Sequence, residues 1–244
     1  MSAVKIVAAV CALLIAGPLL AQEWDRYQNL EDHFAVSAPG QPAIEKTKWK
    51  SEYGSMFPET IYRWEQGANR YTVTVVDYSD SEAIYMANQH SAAFQLSVYW
   101  QVDILGSIQY AATQYRQKPA VKVTFDAFNY INLVTGHELQ LTNPDQSRTY
   151  VGIYLHENRL YIFDATVAKG MPPPLIFQQS PEFLDAAGNS IRYRTYYFNR
   201  VPEPRLNGRV PRGPDVPAEK EPQGAPAGGG GPIQPPRPPR DVQK

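Results

Sequence analysis

The chain has 244 residues, 43% of them hydrophobic and 19% charged, with a formal net charge of −1. That length is enough to bury a sizeable core without covalent staples. The single cysteine, Cys11, excludes a disulfide framework and a cysteine-ligated metal site.

Met1 to Ala21 carries one early cation, Lys5, then an apolar run from Ile6 to Leu20 and a small residue at Ala21. This reads as a cleavable secretory signal over residues 1–21. The run is short for a membrane span, which needs about 20 apolar residues, so a retained anchor is the weaker alternative. Val10 before Cys11 lacks the small side chain expected ahead of a lipid-modified cysteine. The expected address is the periplasm or the exterior, with no stable membrane span after cleavage.

The mature start, Trp24-Asp25-Arg26-Tyr27, places aromatic rings at the surface or edge of the domain. His33–Ser37 alternates as a strand and stops at Pro39-Gly40-Gln41-Pro42. Ile44–Trp49 and Thr60–Glu65 read as two more strands around a turn near Tyr53-Gly54. Tyr71–Tyr78 is the clearest early strand, with Tyr71, Val73 and Val75 on one face. Ser79-Asp80-Ser81-Glu82 supplies helix-capping oxygens and a first-turn acid. A long or broken helix is expected between about Glu82 and Gln117, with Ile104, Ile108, Ala111, Ala112 and Tyr115 on its apolar face.

Ala120–Phe125 reads as a strand, Tyr130–Leu133 as a short further one, and His137–Thr142 as a third. Asn143–Ser147 is a turn. The Arg148–Thr166 segment reads as a β-hairpin with its tip at His156-Glu157-Asn158. A closing helix is expected over Phe177–Ala187, ended by Gly188-Asn189. Ile191–Phe198 reads as a last strand or an extended segment.

Residues 201–244 lack aromatic residues and contain Gly228–Gly231 and Pro235-Pro-Arg-Pro-Pro239. Such a composition cannot offset its ordering entropy, so a disordered Pro/Gly-rich tail is expected. It serves as a solvated spacer or as a tether whose Arg237, Arg240 and Lys244 meet anionic surfaces. The tail accounts for +2 and the signal for +1, which leaves the body at −4. An acidic body argues against nucleic acid as a partner.

The expected class is α+β: a mainly antiparallel sheet with covering helices over residues 22–200. Phe34-Ala-Val-Ser-Ala-Pro-Gly-Gln-Pro42, Arg159-Leu-Tyr161 and the segment around Phe177 and Phe183-Leu184 resemble the Mog1/PsbP-like α/β/α sandwich. Gly136–Asn143 with Ile153–Tyr161 and Phe177–Ser180 is similar to a narrower group of uncharacterised bacterial exported proteins. The resemblance covers about Trp24 to Tyr197 and implies a fold. It carries no catalytic residues, and fold analogy alone does not assign function.

Four histidines remain after the signal: His33, His90, His137 and His156. Pairing Thr142 with Arg148 places His137 near Ile153, toward the end of the sheet where His156 and Glu157 lie if Leu155 pairs with Arg159. His137, Glu138, His156 and Glu157 are therefore the candidate polar site. Against it, adjacent strand residues point to opposite faces, and no HExxH or His-x-His spacing occurs. There is no GxSxG elbow and no Gly-rich phosphate loop between strand and helix. Asp126 and Asp164, inside apolar runs, read as strand-end hydrogen-bonding groups. The aromatics, including Tyr193–Phe198 and the four tryptophans, read as core and sheet packing, with an exposed groove for a peptide or glycan as the alternative. No cofactor or metal is expected. The functional expectation is a non-enzymatic exported protein that binds an envelope protein or cell-wall component. A hydrolytic or metal-dependent enzyme at the His137/His156 end and a spacer acting through its tail are the alternatives.

Overall fold

A computed structural model describes residues 23–87 and 99–202 of the chain. The expected signal (1–21), His90 and the expected tail beyond Pro202 lie outside the described residues. The elements in order are β1 (Trp24–Asn29), β2 (Phe34–Pro39), β3 (Ala43–Lys50), β4 (Met56–Gln66), β5 (Asn69–Asp77), α1 (Ser81–Ala87) and α2 (Tyr99–Arg116). There follow β6 (Lys122–Ile131), β7 (Val134–Thr142), β8 (Arg148–His156), β9 (Arg159–Val167), α3 (Leu175–Gln179) and β10 (Glu182–Phe183). The class is α+β.

Seven strands form one antiparallel sheet in the order β3-β4-β5-β9-β8-β7-β6. Each half grows by hairpins, and the β5–β9 ladder joins them after the helical excursion. Strand alternation loads both faces with apolar side chains. On one face Phe57, Val76, Leu139, Val151, Ile153, Leu160 and Ile162 pack with Ile104, Ala111 and Ala112 of α2. On the other, Tyr62, Trp64, Tyr71, Val73, Tyr161 and Phe163 meet Phe34 and Val36 of β2, Phe177 of α3 and Phe183 of β10. This second face is covered by a three-stranded sheet, β1-β2-β10, and one short helix.

Both ends of the expected 82–117 helix are helical, while residues 88–98 lie outside the described residues. The apolar face read from the sequence is the buried one, and the helix stops three residues before Pro119.

Three expectations are corrected. The expected closing helix over Phe177–Ala187 is only the short helix α3, which ends at Gln179. Pro181 cannot continue it, and Glu182-Phe183 pair with β2 instead, which buries Phe183. The expected strands Ala120–Phe125 and Tyr130–Leu133 are one strand, β6, with a bulge between Val123 and Phe125. It closes on a two-residue turn in which Asn132 and Leu133 both have positive φ, 49° and 64°, the geometry of a type I′ hairpin. Finally, Leu155 pairs with Leu160 and His156 with Arg159, so the β8–β9 turn is Glu157-Asn158 alone.

Ile191–Phe198 forms no strand of the sheets and bends at Arg194-Thr195. It runs back across the end of the sheet, where Tyr197 bridges Val134 in parallel and Tyr197 N–H donates to the Leu133 carbonyl at 2.8 Å.

Candidate functional site

The four residues singled out from the sequence go to different places. His137 and His156 sit on neighbouring strands but face opposite sides of the seven-stranded sheet. His137 follows the parity of Leu139 and turns toward α2. His156 follows Tyr154 and turns toward β10 and the C-terminal segment. The sheet itself lies between them, so no shared acid–base or metal site forms. Among the described residues no three His, Cys, Asp or Glu side chains gather to hold a metal.

His137 is locked into a polar cluster at the C-terminal end of α2. Its Nε2 lies 2.6 Å from Asp126 Oδ1, and Gln109 Nε2 lies 3.4 Å from its Nδ1. The same Nε2 also lies 3.0 Å from Arg116 Nη2. Arg116 binds the same carboxylate in two places, Nε to Oδ2 at 2.7 Å and Nη2 to Oδ1 at 2.9 Å. These guanidinium bonds, and after them the histidine's, hold Asp126 down at about 2. Asp126 is thus a mid-strand ion-pair partner. Asp164 likewise accepts the Tyr115 hydroxyl at 2.7 Å. Each ties α2 to the sheet.

His156 is fully buried. It stacks on Phe183 with centroids 4.6 Å apart, and its Nε2 lies 2.7 Å from the Tyr193 hydroxyl. Burial, then the nearby positive charge of His33 and Arg159, lowers its pKa to about 4. Glu157 occupies the turn, and its backbone N–H donates to Tyr197 Oη at 3.0 Å. Asn158 and Asn199 bond each other twice, at 2.8 Å each. This end of the sheet therefore latches the C-terminal segment in place, which is why Tyr193 and Tyr197 are packed. Tyr196 and Phe198 stay exposed.

Glu138 lies where the cover on the second face runs out. β2 of the small sheet packs on β4, and α3 packs on β2, β8 and β9, and the β6–β7 end of that face is left open. The result is a cleft of about 650 Å³. Its floor is Glu138, Gln140, Tyr150, Gly152 and Tyr154; Pro173 and Leu175 form one wall, and Ile131 and Leu133 the other. Glu138 is directly across the ladder from Gly152, and the Tyr154 ring lies over the place where a side chain at 152 would stand. Asn129 Nδ2 donates to Glu138 Oε2 at 2.8 Å and Gln140 Nε2 to Oε1 at 3.2 Å. Two amides thus hold the carboxylate in one orientation. Among the described residues no Lys, Arg or His ion-pairs with it. Its charge, after burial, also raises the pKa of Tyr154.

Asn129, Gln140, Tyr150 and Gly152 are the residues that the sequence reading missed. Period-two alternation already puts Glu138 and Gln140 on one face. A single β6 strand closing on Asn132-Leu133 would have added Asn129 to that face. The wall from α3 depends on tertiary packing and leaves no local signal.

Neither a protein-family model nor a curated protein matches this chain. Among solved structures, the solution structure of cyanobacterial PsbP from Synechocystis is similar at 11% identity and a TM-score of 0.40. The match covers 68% of this chain and 96% of that one. That protein belongs to the group the sequence resembles, and no site residue or partner is carried over from it.

Proposed function

We propose that the chain is an exported, non-enzymatic binding protein of the bacterial envelope. Its β6–β8 cleft takes an extended segment of a partner protein that bears a positive charge. The observation that carries this reading is Glu138: a carboxylate fixed by two amides, facing an open cleft, with no cation of its own among the described residues. A carboxylate gains most from a charged donor, and the apolar walls at Leu175 and Ile131 fit the aliphatic stem of a lysine or arginine. The secretory character of residues 1–21 supports the address. His137 and His156 are committed to structural contacts away from the cleft.

The test is a titration of the purified protein with trilysine and with its Nε-acetylated form, followed by backbone amide NMR. The expected result is saturable shifts confined to residues 129–133, 138–140 and 175–179 with trilysine only. Glu138→Gln is expected to weaken that binding about tenfold, the loss of one charge-assisted contact. Shifts scattered over the acidic surface, or equal binding of the acetylated peptide, would overturn the reading.

A further inference from the structure

The two edges of the seven-stranded sheet are built differently. Edge strands expose unpaired backbone groups and are normally blunted by charge. β3 follows that rule, with Glu45, Lys46, Lys48 and Lys50 along its eight residues. β6 does not. Its ten residues include two charges, Lys122 and Asp126, and Asp126 is already neutralised by Arg116. Phe125, Phe128 and Tyr130 stand 43%, 79% and 55% exposed along it. Phe128 and Tyr130 share one face and Phe125 lies on the other; Tyr196, with its ring centroid 5.4 Å from that of Tyr130, extends the first.

The backbone of β6 is also poised to pair. A two-residue hairpin closes on a hydrogen-bonded pair, here Ile131 with Val134. Going back along the strand, Tyr130, Phe128 and Asp126 therefore turn their N–H and C=O groups outward. Among the described residues no strand lies on that side. The Tyr130 N–H takes the neighbouring Asn129 Oδ1 at 2.7 Å instead.

We infer that β6 pairs antiparallel with β6 of a second copy of this chain, about a twofold axis at Phe128. Parity, the bulge and the turn select that register. Directly opposed residues share a face, so the axis must fall on a residue. Outward residues meet outward residues for an axis on any residue from 126 to 130, but only Phe128 pairs Asp126, Phe128 and Tyr130 all with one another: an axis on Ala127 sets Tyr130 opposite Thr124 in the bulge, and one on Asn129 sets Asp126 opposite Asn132 in the turn. An axis at Asp126 sets Phe128 and Tyr130 of each copy against the bulged part of the other strand, which disfavours it. An axis at Tyr130 runs most of each strand past the end of the other. At Phe128 the two phenylalanines face each other, Asp126 meets Tyr130 of the second copy, and Phe125 meets Ile131. No like charges are opposed. At about 150–250 Å² per ring, the exposed parts of Phe125, Phe128 and Tyr130 give roughly 350 Å² per copy. The pair then covers roughly 700 Å² before backbone and Tyr196 are added, which approaches the ~1,200 Å² at the lower end of stable interfaces. The joined sheet also sets both Glu138 clefts on one side.

Sedimentation equilibrium and cysteine cross-linking test this on the purified protein in a Cys11→Ser background. The expected result is a dimer at about 100 µM. Phe128→Lys is expected to make it monomeric, whereas Ile44→Lys on β3 leaves it unchanged; both positions are exposed, so folding is preserved. Opposed strand residues lie within disulfide reach. Phe128→Cys is therefore expected to cross-link to its own copy on mild oxidation, and Tyr130→Cys, which faces Asp126, is not. A monomer at that concentration, a dimer indifferent to Phe128→Lys, or equal cross-linking at residue 130 overturns the inference.

Discussion

Tyr154 lies directly across the β7–β8 ladder from Gly136, and its ring fills the space that a side chain at 136 would need. A Cβ there would fall 2.2 Å from Tyr154 Cδ1 and 2.4 Å from the Ile153 carbonyl oxygen. The second contact is with backbone and cannot be relieved by a rotamer change. At Gly152 the nearest atom is Tyr154 Cε2 at 2.9 Å, on a ring that can tilt. Gly136→Ala is therefore expected to cost about 2–3 kcal/mol, as overpacking does, and Gly152→Ala less than half of that. Urea unfolding of the two variants decides it; equal stabilities would remove the steric account of Gly136.

The sheet was largely legible in the sequence because alternation and turn chemistry are local. Asn143–Ser147 set the Thr142–Arg148 pair, and from it His137 opposite Ile153 followed correctly. The tip of the next hairpin was read one residue too long. That small slip mattered, because it put His156 in a turn when it belongs to a strand and is buried. Phe177, Phe183 and Leu184 fit a helical period as well as a buried extended chain; Pro181 decides between them. In the sequence Glu138 stands out only beside His137, whereas in the structure it faces a cleft on the opposite side of the sheet from that ring. Its cleft depends on where α3 docks, which no local pattern encodes.

Lys118-Pro119-Ala120-Val121 forms the turn between α2 and β6. Val121 N–H reaches the Lys118 carbonyl at 3.4 Å, and Ala120 has φ 55°. Proline second and a left-handed residue third is the type II arrangement, which favours glycine third. Ala120 is exposed, so no packing is at stake. The left-handed cost of about 1–2 kcal/mol exceeds the entropy cost of glycine. Ala120→Gly is expected to raise stability by about 0.5–1 kcal/mol, measurable as a higher thermal midpoint. A lower midpoint would mean that residue 120 does not hold this backbone conformation.

His156 gives the fold a defined acid sensitivity. Its folded pKa of about 4 lies below the ordinary 6.5, first because it is buried. Between those values the unfolded chain binds the proton more readily, so stability rises with pH there. The contribution is fully present above about pH 6.5 and is lost as pH falls through 6.5 toward 4, in total about 3 kcal/mol. About 2 kcal/mol of that is expected to disappear between pH 7 and pH 5. His156→Phe keeps a ring against Phe183 but does not titrate. Its unfolding free energy should change less over that interval, and parallel pH profiles for the two proteins would refute the assignment.

The Tyr115–Asp164 bond fastens α2 to β9 at the centre of the sheet, with donor and acceptor 2.7 Å apart. Burial raises the pKa of both groups, and the tyrosine's bond offsets part of that rise for Asp164. In Tyr115→Phe the carboxylate keeps only Thr166 Oγ1, at 3.5 Å from Oδ1. The expected cost at neutral pH is about 1–3 kcal/mol, that of an acceptor left under-satisfied. The sign of its pH dependence follows from linkage. A carboxyl whose folded pKa lies above its unfolded value favours the fold below the unfolded pKa and loses that contribution as pH rises. Removing the tyrosine raises the folded pKa further, so the deficit should be largest at neutral pH and shrink as pH falls through that raised pKa and Asp164 protonates. Denaturant unfolding of both proteins at pH 7 and pH 4 measures it. A deficit that is the same at both would show that Tyr115 contributes packing alone.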